Sequence, residues 1–429
     1  MEKVLIITYY WPPAGGPGVQ RWLKFVKYLR DFGIEPVVYI PENPNYPMLD
    51  NSLENEIPEG ITILKKPIFE PYQIAGLFSK DQTKTISKGI IADERNQSFL
   101  QKSLLFIRGN LFIPDARKFW IKPSVKFLKT YLKEEGIKKI ITTGPPHSLH
   151  LIGLKLKQEL DLKWIADFRD PWTQIGYHRK LKLTESSKKK HLSLEREVLN
   201  LADQIITTSF TTKAEFAGKT SKPISVITNG FDAEKSEAQN NELDTKFSIS
   251  HIGSLLSERN PENLWKALAE LVKENSDFEK DLELKLAGTV SEEVINSIKS
   301  AGLGDKLQLL GYVSHNQAIA LQQKSRLLLL IEINSEETRG IIPGKLFEYL
   351  MSKRPILAIG PQKWDVQQIL EETDSGEYFQ YSERNKLKGV ILSQYKKYKE
   401  GDANFVKGEI SQYSRKNLTE ELASLIKSV

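Results

Sequence analysis

The stretch 4-VLIITYYWPPAGGPGVQRWLKFVKYLR-30 runs an apolar strand into three prolines and three glycines, then resumes as a helix. Gly15, Gly16 and Gly18 let the backbone take φ > 0 and approach a ligand without Cβ clashes. Backbone N–H groups at the helix start make a site for an anion, to which Arg21 adds a full charge. The spacing is not GxGxxG, and the prolines stiffen the loop rather than close a dinucleotide turn. A purely structural turn is the plainer reading of the same residues.

Working outward, KVLIITYY, EPVVYI, ITILKK, KKIITTG, KWIADFRD, DQIITTS and PISVITN read as short strands rich in Val, Ile and Thr. Helical patterns such as WLKFVKYLRDFG, with Gly33 as its stop, and SLHLIGLKLKQEL lie between several of them. This alternation predicts right-handed βαβ crossovers and a mostly parallel sheet. The pattern restarts with FSISHIGSL, LELKLAGTV, LQLLGYV, RLLLLIEI and RPILAIG, separated by ENLWKALAELVKEN, SEEVINSIKSAG, HNQAIALQQK and GKLFEYLMS. The expected fold class is therefore α/β, with two Rossmann-like domains facing across a cleft. The boundaries read as 1–230, a weakly patterned linker at 231–246, a second domain at 247–408 and a final helix-like segment at 409–429. Sheets of this kind bind ligands at the carboxyl ends of their strands.

At 429 residues the chain is too long for one ordinary core, which agrees with two domains. With no cysteine there is no disulfide or thiolate metal site, and the six histidines show no metal spacing. No metal and no cofactor are expected. No run approaches the ~18 apolar residues that span a bilayer, and no basic-then-apolar leader is seen, so a cytoplasmic location is expected. The net charge of +6 is uneven: residues 1–230 hold 35 Lys and Arg against 24 Asp and Glu. Such a surface suits phosphates or anionic lipid; a nucleic-acid partner is not expected. Segment 70–125, with SFLQKSLLFIRGNLFIPDARKFWIKP, interleaves aromatic and basic residues. It reads either as a membrane-surface or lipid-acceptor element or as an insertion packing its apolar face on the domain.

Four further loops carry charge at strand ends. In 143-TGPPHSLH-150, His147 stands just ahead of a helix. In 164-WIADFRDPW-172, Asp167, Arg169 and Asp170 crowd a strand end, which is costly unless they pair or meet a ligand. In 253-GSLLSERNPENL-264, Arg259 precedes a helix after Gly253. In 338-TRGIIPGKLFEYLMSKRPILAIG-360, Pro343 and Gly344 open a helix. The amides of Gly344, Lys345 and Leu346 and the Lys345 side chain face an anion there. Glu348, three residues on, shares the Lys345 face and offers a carboxylate to the hydroxyls of a ribose.

Taken in order, YYWPPAGGPGVQRW, TTGPPHSLHLIGLKLK, KWIADFRDPW, LEREVLNLADQIITTS, ISVITNGFD, GSLLSERNPENL and PGKLFEYLMSKRPILAIG resemble the family-4 (GT4) glycosyltransferases of the GT-B fold, in a bacterial surface-polysaccharide branch. The resemblance implies a UDP-, GDP-, dTDP- or ADP-linked sugar held mainly by the second domain and a glycan or lipid-linked acceptor held mainly by the first. It implies retention of anomeric configuration without a metal. Glu348 looks like the ribose-binding acid and Arg259 like the cation beside the diphosphate, with Lys345. Gly15 and Gly16 would approach the donor phosphate or the acceptor, and His147 the transferred sugar. Arg21, Asp167, Arg169 and Asp170 fall on the acceptor side. The segment 412-QYSRKNLTEELASLIK-427 looks like the family's C-terminal helix, crossing back onto the first domain. Two departures stand out: Gly340 replaces the first acid of the family's E-x7-E pattern, and Ser254 follows Gly253 where a cation is frequent. Two other functions suit the same frame: a nucleotide-sugar 2-epimerase, with Asp167 or Asp170 as acid/base groups, and a non-catalytic nucleotide-sugar binder.

Overall fold

The computed structural model describes residues 1–71, 99–174, 181–233, 242–402 and 408–429. The chain divides into two compact units, Met1–Asn229 with Arg415–Val429, and Gly230–Ser414.

The first unit holds a parallel sheet of β1 (Glu2–Ile7), β2 (Ile34–Pro41), β3 (Thr62–Lys66), β4 (Lys139–Gly144), β5 (Lys163–Phe168), β6 (Gln204–Thr207) and β7 (Ile224–Val226). Its order is β3-β2-β1-β4-β5-β6-β7. β1 pairs on one side with β2 (Leu5 opposite Val37) and on the other with β4 (Ile7 opposite Thr142), so the order reverses there. Leu5 and Ile7 pack on one side with Trp120, Ile152 and Trp164, while Val4 and Ile6 pack on the other with Trp22 and Leu29. Covering on both faces is why VLII shows no polar alternation.

The C-terminal helix Arg415–Ser428 belongs to this unit. Leu418, Leu422, Ala423 and Ile426 recur about every four residues, forming one stripe that enters the same core as Trp22 and Leu29. Arg415 Nη2 donates to Gln20 Oε1 at 3.0 Å, and Lys139 Nζ to the Ile426 carbonyl at 2.7 Å. Each fully buried apolar side chain of the stripe contributes roughly 1.5–3 kcal/mol, so the last turns of the chain complete the core laid down by its first strand.

The second unit holds β8 (Phe247–Ile252), β9 (Leu282–Ala287), β10 (Leu307–Gly311), β11 (Leu327–Ile331), β12 (Ile356–Gly360) and β13 (Gly376–Gln380), in the order β10-β9-β8-β11-β12-β13. The reversal falls between β8 and β11. Five of these strands are expected from sequence; β13, GEYFQ, is not. It is an edge strand with only Phe379 buried, and its first residue must be glycine because a Cβ at Gly376 would stand 1.9 Å from the Ile356 carbonyl.

Within the 231–246 stretch, residues 234–241 lie outside the described residues, but its end is pinned to the second unit. Asp244 N–H donates to the Lys324 carbonyl at 2.9 Å, and Lys285 pairs with the Asp244 carboxylate at 2.9 Å. Of segment 70–125, residues 72–98 lie outside the described residues; the rest forms the helix Phe99–Leu111 and the start of Lys118–Glu134.

Candidate functional site

In the second unit, the loops after β8 and β11 meet where the strand order reverses, the place where open α/β sheets take ligands. Gly253 leaves β8 at φ 129°. A Cβ there would stand 2.4 Å from Lys345 Nζ, so glycine makes room for the lysine head. Arg259 closes the short turn Ser257–Arg259, and its Nε and Nη2 donate to Glu332 Oε1 at 3.1 and 2.9 Å. Glu332, the residue after β11, is 2 % exposed, and its Oε1 also accepts the Ile333 amide.

Lys345 enters from the first turn of the helix Gly344–Ser352. Burial, and after it the charge of Arg259, pulls its ammonium down to about 8, while Glu332 and Glu348 oppose the shift. Arg259 is paired with Glu332 while Lys345 stands beside it in a partly dry site without an ion pair among the described residues, an arrangement that an anion relieves. The helix start has no side-chain cap, and nothing lies within 4 Å of where a Cβ at Gly344 would be. The expectation of three free amides is corrected in one respect: Leu346 N–H donates to the Pro343 carbonyl at 3.0 Å, tightening the first turn. Gly344 and Lys345 supply the remaining amides, and the Leu346 side chain is buried in the core. One turn on, Glu348 Oε2 accepts from Gln322 Nε2 at 3.0 Å. Gly340, in place of the first acid, lies in the chain between Glu336–Thr338 and this helix.

The first unit brings its three loops together as well. Gly16, at φ 103°, precedes the helix Pro17–Leu29. Gly15 N–H donates to the Met48 carbonyl at 3.0 Å. Arg169 lies across this turn: its Nη1 would be 1.8 Å from a Cβ at Gly18, its Nη2 donates to the Pro145 carbonyl, and its guanidinium stands 5.7 Å from the Tyr10 ring. Burial pushes the Asp170 carboxyl up, with Arg169 opposing. His147 is buried and stacks on Trp172 at 4.8 Å, nearly coplanar.

Arg21 and Asp167 require a correction. Their side chains are 2 % and 0 % exposed and pair with each other at 3.0 Å. Arg21 also donates to the Thr228 carbonyl at 2.7 Å, while Asp167 Oδ2 accepts from Trp22 Nε1 and Thr143 Oγ1, both at 2.8 Å. Burial alone would raise the Asp167 carboxyl, but Arg21's charge and these bonds hold it below the usual range. The pair ties the first helix to β4 and β5 and presents nothing to an acceptor.

Sequence reading missed Glu332 and Gln322. Glu332 is the next-to-last residue of RLLLLIEI, but only the tertiary fold brings it to Arg259. Gln322 has no signal in a largely polar helix. Among the described residues, no three His, Cys, Asp or Glu side chains group as a metal requires, and no helix is long and apolar enough to cross a membrane.

Two parallel-sheet α/β units, each reversing strand order beside its first strand, define the fold of the GT-B glycosyltransferases. Residues 232–359, which carry β8 to β12, match the family model described as Glycosyl transferases group 1. Anabaena Alr3699/HepE, solved in complex with UDP, is similar at TM-score 0.61 and 13 % identity, over 100 % of both chains. Sucrose-phosphate synthase from Thermosynechococcus elongatus follows at 0.58 and 14 %, over 100 % of this chain and 99 % of that one. The lipopolysaccharide outer core galactosyltransferase WaaB is similar at 0.57 and 13 %, over 100 % and 99 %. No curated protein sequence is significantly similar to the chain. The structural matches show the fold, and the family model matches within the second unit.

Proposed function

We propose that this protein is a GT4-type glycosyltransferase that moves a sugar from a nucleotide-sugar donor to a lipid-linked or polysaccharide acceptor, with retention and without a metal. The observation that carries the reading is the set at the β8/β11 reversal: Gly253, Arg259, Lys345, the Gly344 and Lys345 amides, and Glu348 one turn further on. Departure of a nucleoside diphosphate develops negative charge on its phosphates. Fixed cations and amides at that point stabilise the leaving group with little reorganisation. Glu348 takes the ribose hydroxyls. HepE has been solved with UDP and with UDP-glucose, which supports a nucleotide sugar as the ligand class; UDP, GDP, dTDP and ADP are all candidate carriers.

On the first unit, we assign Gly15 and Gly16 to the donor phosphate or the acceptor, Arg169 and Asp170 to the acceptor and His147 to the transferred sugar, with the Arg21–Asp167 pair as their support. The same unit exposes the apolar side chains of Phe69, Phe106, Ile107, Leu111 and Phe119, with the Phe69 and Phe119 rings 5.6 Å apart. Lys118 stands 5.6 and 5.3 Å from the Phe112 and Phe119 rings. Exposed apolar groups with a cation beside them suit an anionic membrane surface, which fits a peripheral position at the cytoplasmic face and a lipid-linked acceptor.

The test is incubation with UDP-, GDP-, dTDP- and ADP-sugars. Slow donor hydrolysis with nucleotide release is expected for one carrier, whose nucleoside diphosphate also gives the largest thermal stabilisation. Glu348→Ala removes that preference. Neither binding nor turnover across all four overturns the reading. Asp170, with its raised carboxyl, favours a second reading as a 2-epimerase; a 2-epimer formed without acceptor would put it in place of the first.

A further inference from the structure

The helix His315–Lys324 buries one side chain fully, and it is Gln322, 1 % exposed. Ile319 and Leu321 on the same helix are only half-buried. Placing an amide in the interior while neighbouring aliphatic residues stay partly wet is unfavourable unless hydrogen bonds replace those lost to water. Gln322 regains one, from Nε2 to Glu348 Oε2 at 3.0 Å. Its Oε1 is buried with no hydrogen-bond partner, the more costly half of the exchange. Leucine or methionine would fill the space without that penalty, so packing does not account for the glutamine. Positions that break a local rule in this way mark functional sites.

The amide N–H can only donate, so Glu348 Oε2 accepts, and the bond fixes where that oxygen lies. Glu348 Oε1 is then left as an acceptor without a protein donor among the described residues, beside a second orphan acceptor on Gln322. The hydroxyls of a ribose are donors. We infer that Gln322 is a positioning residue that sets Glu348 to read the ribose of a nucleoside diphosphate, so that the site selects ribonucleotides over their 2′-deoxy forms. This rests on the ribose role given to Glu348 above.

The experiment is calorimetric titration of the full-length protein with UDP, GDP and ADP, with their 2′-deoxy counterparts, and with dTDP. The wild type is expected to hold its best ribonucleotide at least about tenfold tighter than the deoxy form. Gln322→Met, close in volume but without the amide, brings that ratio within about threefold and leaves affinity for the deoxy form little changed. Gln322→Asn, whose shorter amide cannot reach Glu348, does the same and serves if the methionine variant does not fold. Equal weakening of both forms, with the ratio intact, makes Gln322 a structural tie between two helices and overturns the inference. A wild type that binds ribonucleotides without preferring them over the deoxy forms overturns only this inference. One that binds only dTDP overturns this inference alone, and one that binds neither any of the six nor dTDP overturns the nucleotide-sugar reading with it.

Discussion

Both sheets reverse strand order beside their first strand, and both put an arginine and a carboxylate at the reversal. In the first unit Arg21 and Asp167 are wholly buried, and the carboxylate is filled by four donors from Arg21, Trp22 and Thr143. In the second, Arg259 spends Nε and Nη2 on one oxygen of Glu332, and Lys345 adds a second cation with its ammonium pulled down. A pair whose hydrogen-bonding capacity is met inside is framework; a cluster in which one half-buried cation has no ion pair among the described residues is a candidate binding site. The same topological position can therefore carry either, and the balance of local charge decides which.

Substitutions at three places break or sharpen this contrast. Asp167→Asn leaves Arg21 buried beside a neutral partner and should cost about 3–5 kcal/mol in urea unfolding; a loss under about 1 kcal/mol would mean the pair does not close the first unit. Because the folded Asp167 carboxyl is depressed, its stabilisation is complete above the unfolded value of about 4 and is lost as pH falls through the lower folded value. The acid limb of the stability profile should accordingly flatten in the variant.

Lys345→Met should leave stability nearly unchanged and weaken nucleoside diphosphate binding by about tenfold to a hundredfold, the value of a charge-assisted hydrogen bond of about 1.5–3 kcal/mol. The wild-type lysine is charged below about 8, so affinity should fall as pH rises through that value. Lys345→Arg should remove the pH dependence; a wild-type profile flat from pH 7 to 9.5 would refute the lysine's part.

The smallest effect concerns what the first unit exposes in place of free charge. Leu111→Ser with Phe119→Ser should lower partition onto anionic vesicles severalfold while nucleoside diphosphate affinity stays as in wild type. Unchanged partition in a sedimentation assay would leave these apolar side chains without a membrane role.

Much of this architecture is legible along the chain. Apolar β-rich runs alternating with amphipathic helices announce parallel sheets, because a strand covered on both faces has no polar side to show. Lys345 and Glu348 are legible too, since one helical turn sets their common face. Asp167 and Arg169 look equivalent in DFRD, yet one is sealed under Arg21 and Trp22 while the other lies across Gly18. Asp167 lies inside β5 while Arg169 follows its end, where the strand no longer fixes the side chain's direction, and only the partner elements decide what each meets. β13 escaped notice because an edge strand with one buried residue carries little pattern.

From its sequence alone this protein had its two α/β halves, its strand-end loops and the helix start bearing Lys345, because hydrophobic period and turn chemistry are local properties. Folding in three dimensions settled which charges are spent and which remain. Glu332 reaches Arg259 across 73 residues, and Gln322 reaches Glu348 across 26. Strand order and helix packing bring such groups together, and whether a buried charge is framework or site depends on how completely its neighbours answer it.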